Sequence, residues 1–459
     1  MSEKSEIRGG VLGRILDSGD GWIHMSGVLG VSMSSLALML AERGISVSGS
    51  DDGEGATEQL RRAGVYMNID RRVAICSADA LVYSSAISEE HPDRRLAGKI
   101  GIPEYSRAEL LGELMQGFGK RIGVSGTHGK STVTAMLASI FDAAGLSATV
   151  LCGARMQGGE CYISGERDYL LYEACEYRDS FLHFSPTCAI ITNIELDHTD
   201  YFLSEEAVEA SFLKSAEHAE RTVVSVDYPI SERVARALGE RGVTVGRSSG
   251  AEYRYEPVSS DSQGSRFVIY HGGAVMPLDI SVVGEHNVDN AATAAVAAMV
   301  CGIPRDKIAK GLKAFRGINM RLERLGTLGG QTVYRDYAHH PTEIRCALGT
   351  LKSIHGSVAV LFRPHTYTRT RDLWSGFVRE LSAADEVGIY EIYPARESPI
   401  RGISAEALAG EIYGARSLTV SDALDFVSGA SSSAVVLMGA GDLRELESEI
   451  SRRIKEREE

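Results

Sequence analysis

The stretch from Arg121 to Ile140, RIGVSGTHGKSTVTAMLASI, constrains this chain more than any other. A β-branched run, Ile122-Gly123-Val124-Ser125, meets Gly126-Thr127-His128-Gly129-Lys130-Ser131-Thr132. An apolar helical pattern follows at Val133, Met136, Leu137 and Ile140. Strand, glycine turn, Lys-Ser and helix make the layout of a phosphate cradle. The glycines let backbone N–H groups turn inward, and the helix N-terminus adds partial positive charge. Lys130 is placed to neutralise β and γ phosphates, and the Ser131 hydroxyl to ligate Mg²⁺. The strict nucleotide-loop spacing wants glycine at position 124, where this chain has Val124, so the loop is a shorter G-x-x-G-K-S variant. The competing reading is a packing turn, which leaves a buried lysine there with no expected structural partner.

A length of 459 residues suits about three domains of ~100–200 residues each. The chain is 44% hydrophobic and 24% charged, the proportions of a soluble globular protein. Its 48 Lys and Arg against 62 Asp and Glu give a net charge of −14, with no Lys/Arg run. That balance argues against a groove tracking nucleic acid, so no nucleic-acid partner is expected. Anionic nucleotides have to be held locally, by loops and single cations. The 7 cysteines are scattered singly without a C-x-x-C pair, so neither a zinc site nor a disulfide framework is expected. The opening MSEKSEIRGG is charged and lacks the apolar segment of a secretion signal. No apolar run reaches membrane-spanning length. The expectation is a cytoplasmic protein without membrane insertion, as a monomer or homodimer.

Along the chain, residues 1–20 read as a polar lead-in. Trp22 to Ser26 reads as a strand, Met33 to Arg43 as a helix and Ile45 to Ser48 as a second strand, ending in Gly49-Ser50-Asp51. This is a βαβ unit with an acidic residue after its second strand, as in dinucleotide folds. Gly117 to Lys120 reads as a linker. In the second region, Tyr169 to Glu176 reads as a strand running into Glu173 and Glu176, and Thr187 to Thr192 as a buried strand ending in Asn193-Ile194-Glu195-Leu196-Asp197-His198-Thr199-Asp200. Carboxylates and a histidine at strand ends beside a phosphate loop suit Mg²⁺. Ser248 to Pro277 reads as a β meander, and Gly284 to Asn290 opens an Ala-rich helix over 291–300. From about Gly317 a third region alternates strands and helices again. His339, His340, His365 and Arg369 cluster near its strand ends, and its last strand ends in Gly439-Ala440-Gly441-Asp442. Polar loop residues positioned on such a scaffold tend to be functional.

Together the motifs GTHGKST (126–132), EACEYRDSFL (173–182), TNIELDH (192–198), GEHNVDN (284–290), DYAHHPTE (336–343), PHTYTRTRD (364–372) and YPARE (393–397) resemble the Mur ligase family over nearly the whole chain. They are most similar to the branch that joins L-alanine to UDP-N-acetylmuramate. The resemblance implies an α/β protein of three domains. These are a Rossmann-like UDP-sugar-binding domain over 1–118, a central P-loop ATPase-type mononucleotide-binding domain over 119–317, and a Rossmann-like C-terminal domain over 318–459 that receives the amino acid. It implies ATP and Mg²⁺ as cofactors, UDP-N-acetylmuramate and L-alanine as substrates, and a place in peptidoglycan precursor synthesis.

By the same resemblance, Gly126, Thr127, His128, Gly129, Lys130, Ser131 and Thr132 hold the ATP phosphates. Ser131, Glu173 and His198 are the metal-associated set, with Glu176 a weaker member. His286, Asn287 and Asn290 match the adenine-contacting segment, and Arg321 and Asp336 match residues reaching back to phosphates and ribose. His340 and Arg369 are the candidates for the incoming amino acid. The chain departs from the family in its first loop. The family pattern is H-x-x-G-x-G-G-x-G-M, and the run His24 to Met33 has Leu29 and Ser32 where that pattern has glycine. Leu29 is expected to crowd a diphosphate there. A ligase adding another amino acid or a peptide, and a non-catalytic UDP-sugar or nucleotide sensor, are the alternatives.

Overall fold

The computed structural model describes residues 10–53, 57–67, 69–156, 158–199, 201–441 and 443–458. Asp200 and Asp442 lie outside them, as do residues 1–9. Three sheets organise the chain, with 4, 10 and 6 strands.

The first sheet is all parallel, in the order Ser46–Ser50, Trp22–Ser26, Ala80–Tyr83, Glu104–Ser106. The expected βαβ unit is present, with its helix at Val31–Glu42. The polar lead-in is not. Val11–Ser18 is a helix, and Leu12 and Ile15 enter the core, because the three-residue spacing of two apolar side chains makes one buried face. The expected linker is also structured: Phe118 is buried, and Lys120 already belongs to the next strand.

In the second sheet, Lys120–Ser125 lies centrally between Glu166–Glu173 and Cys188–Ile191, parallel to both. The strand is buried on both faces, which explains its continuous apolar run. Tyr253–Asp261, Gly264–His271 and Ala274–Ile280 form the expected antiparallel meander at one edge. The helix Lys130–Ala143 covers one face together with Glu285–Val300 and Arg305–Ala314. Glu285–Val300 starts six residues earlier than the expected 291, so its polar opening motif forms the first turns of the helix rather than a lead-in.

The other face of this sheet shares a hydrophobic core with the first domain. Ile23, Met25 and Leu110 join Leu170, Tyr172 and Phe181 in it. The seam is close: a Cβ on Gly112 would meet the His183 carbonyl, and Gln116 donates to Ser185 Oγ at 2.8 Å. In the third sheet, Gln331–Asp336, Ala434–Met438, Val358–Phe362, Glu386–Tyr390 and Arg416–Leu418 are parallel, with Glu323–Leu328 antiparallel at the edge. Helices cover both its faces.

The helix behind the glycine loop is held by one close approach. A Cβ on Gly311 would lie 2.8 Å from the Ile140 nitrogen and the Ser139 carbonyl oxygen, while Ser139 Oγ donates to the Gly311 carbonyl at 2.7 Å. Gly311→Val therefore pushes the two helices apart. The expected cost is about 1–3 kcal/mol, read as a lower midpoint in thermal unfolding.

Candidate active site

The glycine loop is clamped by the segment that follows the neighbouring strand. Asn193 Oδ1 accepts from the His128 amide at 2.8 Å, and Asn193 Nδ2 donates to the His128 carbonyl at 2.9 Å. Thr192 Oγ1 donates to the same carbonyl at 2.6 Å, and Thr127 Oγ1 to the Glu195 carbonyl at 3.0 Å. Gly126 and Gly129 have φ of 133° and 74°. Besides that backbone, a Cβ on Gly126 would collide with Thr192, and one on Gly129 with Asn290. Glycine is required at both places by conformation and by contact.

Lys130 has a protein partner, contrary to expectation. Its ammonium donates to the Thr127 carbonyl at 2.9 Å, to the Gly126 carbonyl, and to both oxygens of Glu176 at 3.0 and 3.1 Å. Glu176 is 3% exposed. Burial works against the charge on Lys130, but Glu176 beside it holds the pKa above the usual lysine value. Glu176, the weaker candidate in the sequence, is thus the nearest charged neighbour of Lys130.

A cavity opens beside the loop. It brings together His128, Gly129 and Thr132 with His286, Asn287 and Asn290 from the first turns of Glu285–Val300, and with Arg321 and Asp336 from the third domain. Burial holds His286 neutral by lowering its pKa to about 4, and its Nδ1 is buried without a hydrogen-bond partner. His286 borders the cavity, and a neutral imidazole there fits a polar heterocycle such as adenine. Asp336 accepts from the amides of Leu322 and Ala338 at 2.8 and 2.7 Å, fixing a loop in which Met320 and Leu322 adopt φ of 60° and 47°. Arg321 pairs with Glu343 at 3.0 Å.

The other candidates lie outside this cavity. His340 caps the helix Pro341–His355, its ring 4.8 Å from that of His128. Arg369 reaches across to Asp197 at 3.1 Å and to His365 at 3.2 Å. His198, with φ of 51°, stands 3.7 Å from Glu176 and 4.7 Å from the Tyr177 ring. Glu173 accepts the Gly153 amide and faces the first domain. The Ser131 hydroxyl and the Glu173 carboxylate are oxygen donors of the kind that suits a hard cation keeping most of its water. Among the described residues, the trio of His, Cys, Asp or Glu with mutually close donor atoms is a different one, His128, Glu195 and His340, within 4.8 Å of each other.

Sequence reasoning passed over three residues. Asn193 stood inside a quoted motif, Glu343 lies one helical turn after His339, and Tyr228, which lines the cavity, carries no motif. Leu29 also departs from expectation. Its side chain packs against the hydrophobic core of the first domain, and its amide donates to Asp51 at 2.9 Å, so it does not crowd the loop mouth.

A glycine loop joining a central parallel strand to a helix, closed by polar groups from the next domain, defines a multidomain α/β nucleotide-binding protein. Three family models cover the chain in order: Mur ligase family, catalytic domain, over residues 22–119; Mur ligase middle domain over 124–298; and Mur ligase, glutamate ligase domain, over 320–442. A UDP-N-acetylmuramate–L-alanine ligase of Caldicellulosiruptor bescii is 37% identical over 83% of this chain and 86% of its own length. One from Clostridium beijerinckii is 36% identical over 92% and 95%. The crystal structure of the UDP-N-acetylmuramate–alanine ligase of Thermotoga maritima superposes with a TM-score of 0.79 at 26% identity, covering 95% of this chain and 99% of that one. The chain belongs to the Mur ligase family. No helix of the described residues is long and apolar enough to cross a membrane.

Charge pairs dock the third domain onto the loop. Besides Arg369 and Asp197, His128 lies 2.9 Å from Glu195 and 3.4 Å from Glu343. Burial opposes the charge on His128, yet the two carboxylates push its pKa up to about 9. A folded pKa raised above the unfolded value of about 6.5 means stability fully present below that pH and lost as pH rises through about 9. Thermal midpoints of the wild type should therefore fall between about pH 6.5 and 9 by more than those of His128→Gln.

Proposed function

We propose that this protein is an ATP-dependent ligase that joins L-alanine to the lactyl carboxylate of UDP-N-acetylmuramate, a step of peptidoglycan precursor synthesis in the cytoplasm. The observation that carries the reading is the cavity in which the Gly126–Thr132 loop, the His286–Asn290 turn and the third-domain pair Arg321 and Asp336 meet. The shared names of relatives matching most of the chain supply the substrates. In this reading residues 1–118 bind the UDP-sugar, 119–317 bind ATP and 318–459 receive the amino acid.

The chemistry takes two steps. A carboxylate oxygen of the acid attacks the γ phosphorus of ATP and ADP leaves, giving an acyl phosphate. The amine of alanine then attacks the acyl carbon, loses a proton, and phosphate leaves as the amide forms. The protein's share is position and charge. Lys130 exchanges the Glu176 carboxylate for the β and γ phosphates of ATP. The start of the helix Lys130–Ala143 supplies partial positive charge to the same oxygens. His286, Asn287 and Asn290 take the adenine, while Arg321 and Asp336 take phosphate and ribose as the third domain closes. Ser131 and Glu173, with His198 behind them, would hold Mg²⁺, which when bound neutralises phosphate charge. Arg369 and His340 are assigned to the amino acid; Arg369 then shares its guanidinium between that carboxylate and Asp197.

Phosphate release measured with ATP, Mg²⁺, UDP-N-acetylmuramate and L-alanine, each omitted in turn, tests the assignment. Release should require all four. Tight ATP binding without release under any combination would favour the sensor, and release with another amine the divergent ligase. Lys130→Ala should reduce turnover by at least about a hundredfold. It also strands the buried Glu176, at about 3–5 kcal/mol. The double variant Lys130→Ala/Glu176→Gln should recover the melting temperature and remain inactive, separating the catalytic loss from the structural one.

A further inference from the structure

Among the described residues, Arg107 is a half-buried cation that lacks a partner. It opens the helix Arg107–Leu114 at the seam between the first and central domains. It makes no hydrogen bond and no ion pair with any described residue. Other arginines at buried sites are matched: Arg94 by Glu104 at 2.7 Å, Arg321 by Glu343 at 3.0 Å and Arg369 by Asp197 at 3.1 Å. Arg107 instead borders a small cavity that it shares with Ser32, Ser35, Cys152, Gly153 and Glu173. Burial lowers its pKa, and the compensating groups are the more distant Cys175 and Glu173. A guanidinium partly shielded from water without a counter-ion is costly, and a ligand that brings an anion there relieves that cost.

The two walls of the cavity say which anion. One wall adjoins the phosphate loop: Glu173 ends the strand paired with Lys120–Ser125, in register with Val124, and Cys152 Sγ donates to the Ser131 carbonyl at 3.6 Å. The other wall is Ser32 and Ser35, in the first turns of Val31–Glu42 in the first domain. A ligand held by the first domain and phosphorylated at the loop has to bring its reacting carboxylate across this seam. The planar fork of arginine matches a carboxylate in a bidentate way. Ser32, one of this chain's two departures from the family's glycine pattern, is exposed and offers a hydroxyl on the same cavity.

We propose that Arg107, assisted by Ser32, is the subsite that binds the carboxylate of the acid substrate and aims it at the phosphate loop. The proposal rests on the ligase reading above. Its reach is to a carboxylate and not to the nucleotide half of the ligand, and this separates it by experiment from a diphosphate contact.

Binding of two ligands is measured by calorimetry on the full chain: UDP-N-acetylmuramate, and UDP-N-acetylglucosamine, which shares the nucleotide and diphosphate but has no lactyl carboxylate. Arg107→Met should weaken the first by about a hundredfold and leave the second within about twofold. Arg107→Lys should recover part of the loss, and Ser32→Gly should weaken the first ligand alone, by about three- to tenfold. Because the charge has no partner, Arg107→Met should not lower the melting temperature, which a structural arginine would do. Equal weakening of both ligands, or of neither, overturns the carboxylate subsite while the ligase reading stands. A wild type that does not bind UDP-N-acetylmuramate overturns both.

Discussion

The structure depends on one buried ion pair at the foot of a glycine loop. Lys130 sits among the Gly126 and Thr127 carbonyls and the carboxylate of Glu176, 2.9 Å from Thr127 and 3.0 and 3.1 Å from the two Glu176 oxygens. The loop carbonyls of Gly126 and Thr127 aim at the ammonium, Asn193 holds the Thr127 and His128 amides, and the helix Lys130–Ala143 starts at that point. A lysine so placed is charged, oriented and ready to trade one anion for another. The trade is nearly balanced in charge, which lets the same geometry serve with and without a phosphate ligand.

That foot is built by contacts distant in sequence. The TNIE segment grips the loop from the adjacent strand end, and Gly311 lets a second helix lie flat against the helix behind it. On one side the first domain shares a core with the central sheet, so the seam holding Arg107 is braced by apolar packing. On the other side the third domain meets the central one through polar contacts: Glu343 with His128, Arg369 with Asp197, and Asp372 with the Thr199 hydroxyl at 2.6 Å. Apolar seams resist opening, whereas ion pairs between domains exchange with water and ligands at small net cost. The asymmetry suits a protein whose third domain closes over a bound nucleotide.

Much of the architecture was legible in residue patterns, for physical reasons. Buried parallel strands such as Val358 to Phe362 need unbroken apolar runs, and the run stands out in the chain. The meander over 253–280 was visible as a Ser-, Gly- and Tyr-rich stretch over 248–277. The helix Val11–Ser18 was missed because its apolar residues, Val11, Leu12, Ile15 and Leu16, repeat over only two turns between polar and glycine-rich flanks. The partnership of Lys130 with Glu176 was missed because 46 residues separate them, and nothing local to either marks the contact. Leu29 was misread because its loop position was known but not the direction of its side chain, which the first-domain core decides.

By itself the sequence determined the type of chemistry available. Gly126, Gly129, Lys130 and Ser131 in order before a helix specify a phosphate cradle, since only glycine admits the required backbone and only a short Lys-Ser step puts both groups at a helix start. Order along a chain does not set which faces meet, because packing between domains depends on shapes summed over many residues. Tertiary structure alone brought His286, Asn290, Arg321 and Asp336 to one cavity, placed His340 against His128, and left Arg107 facing a seam without an anion.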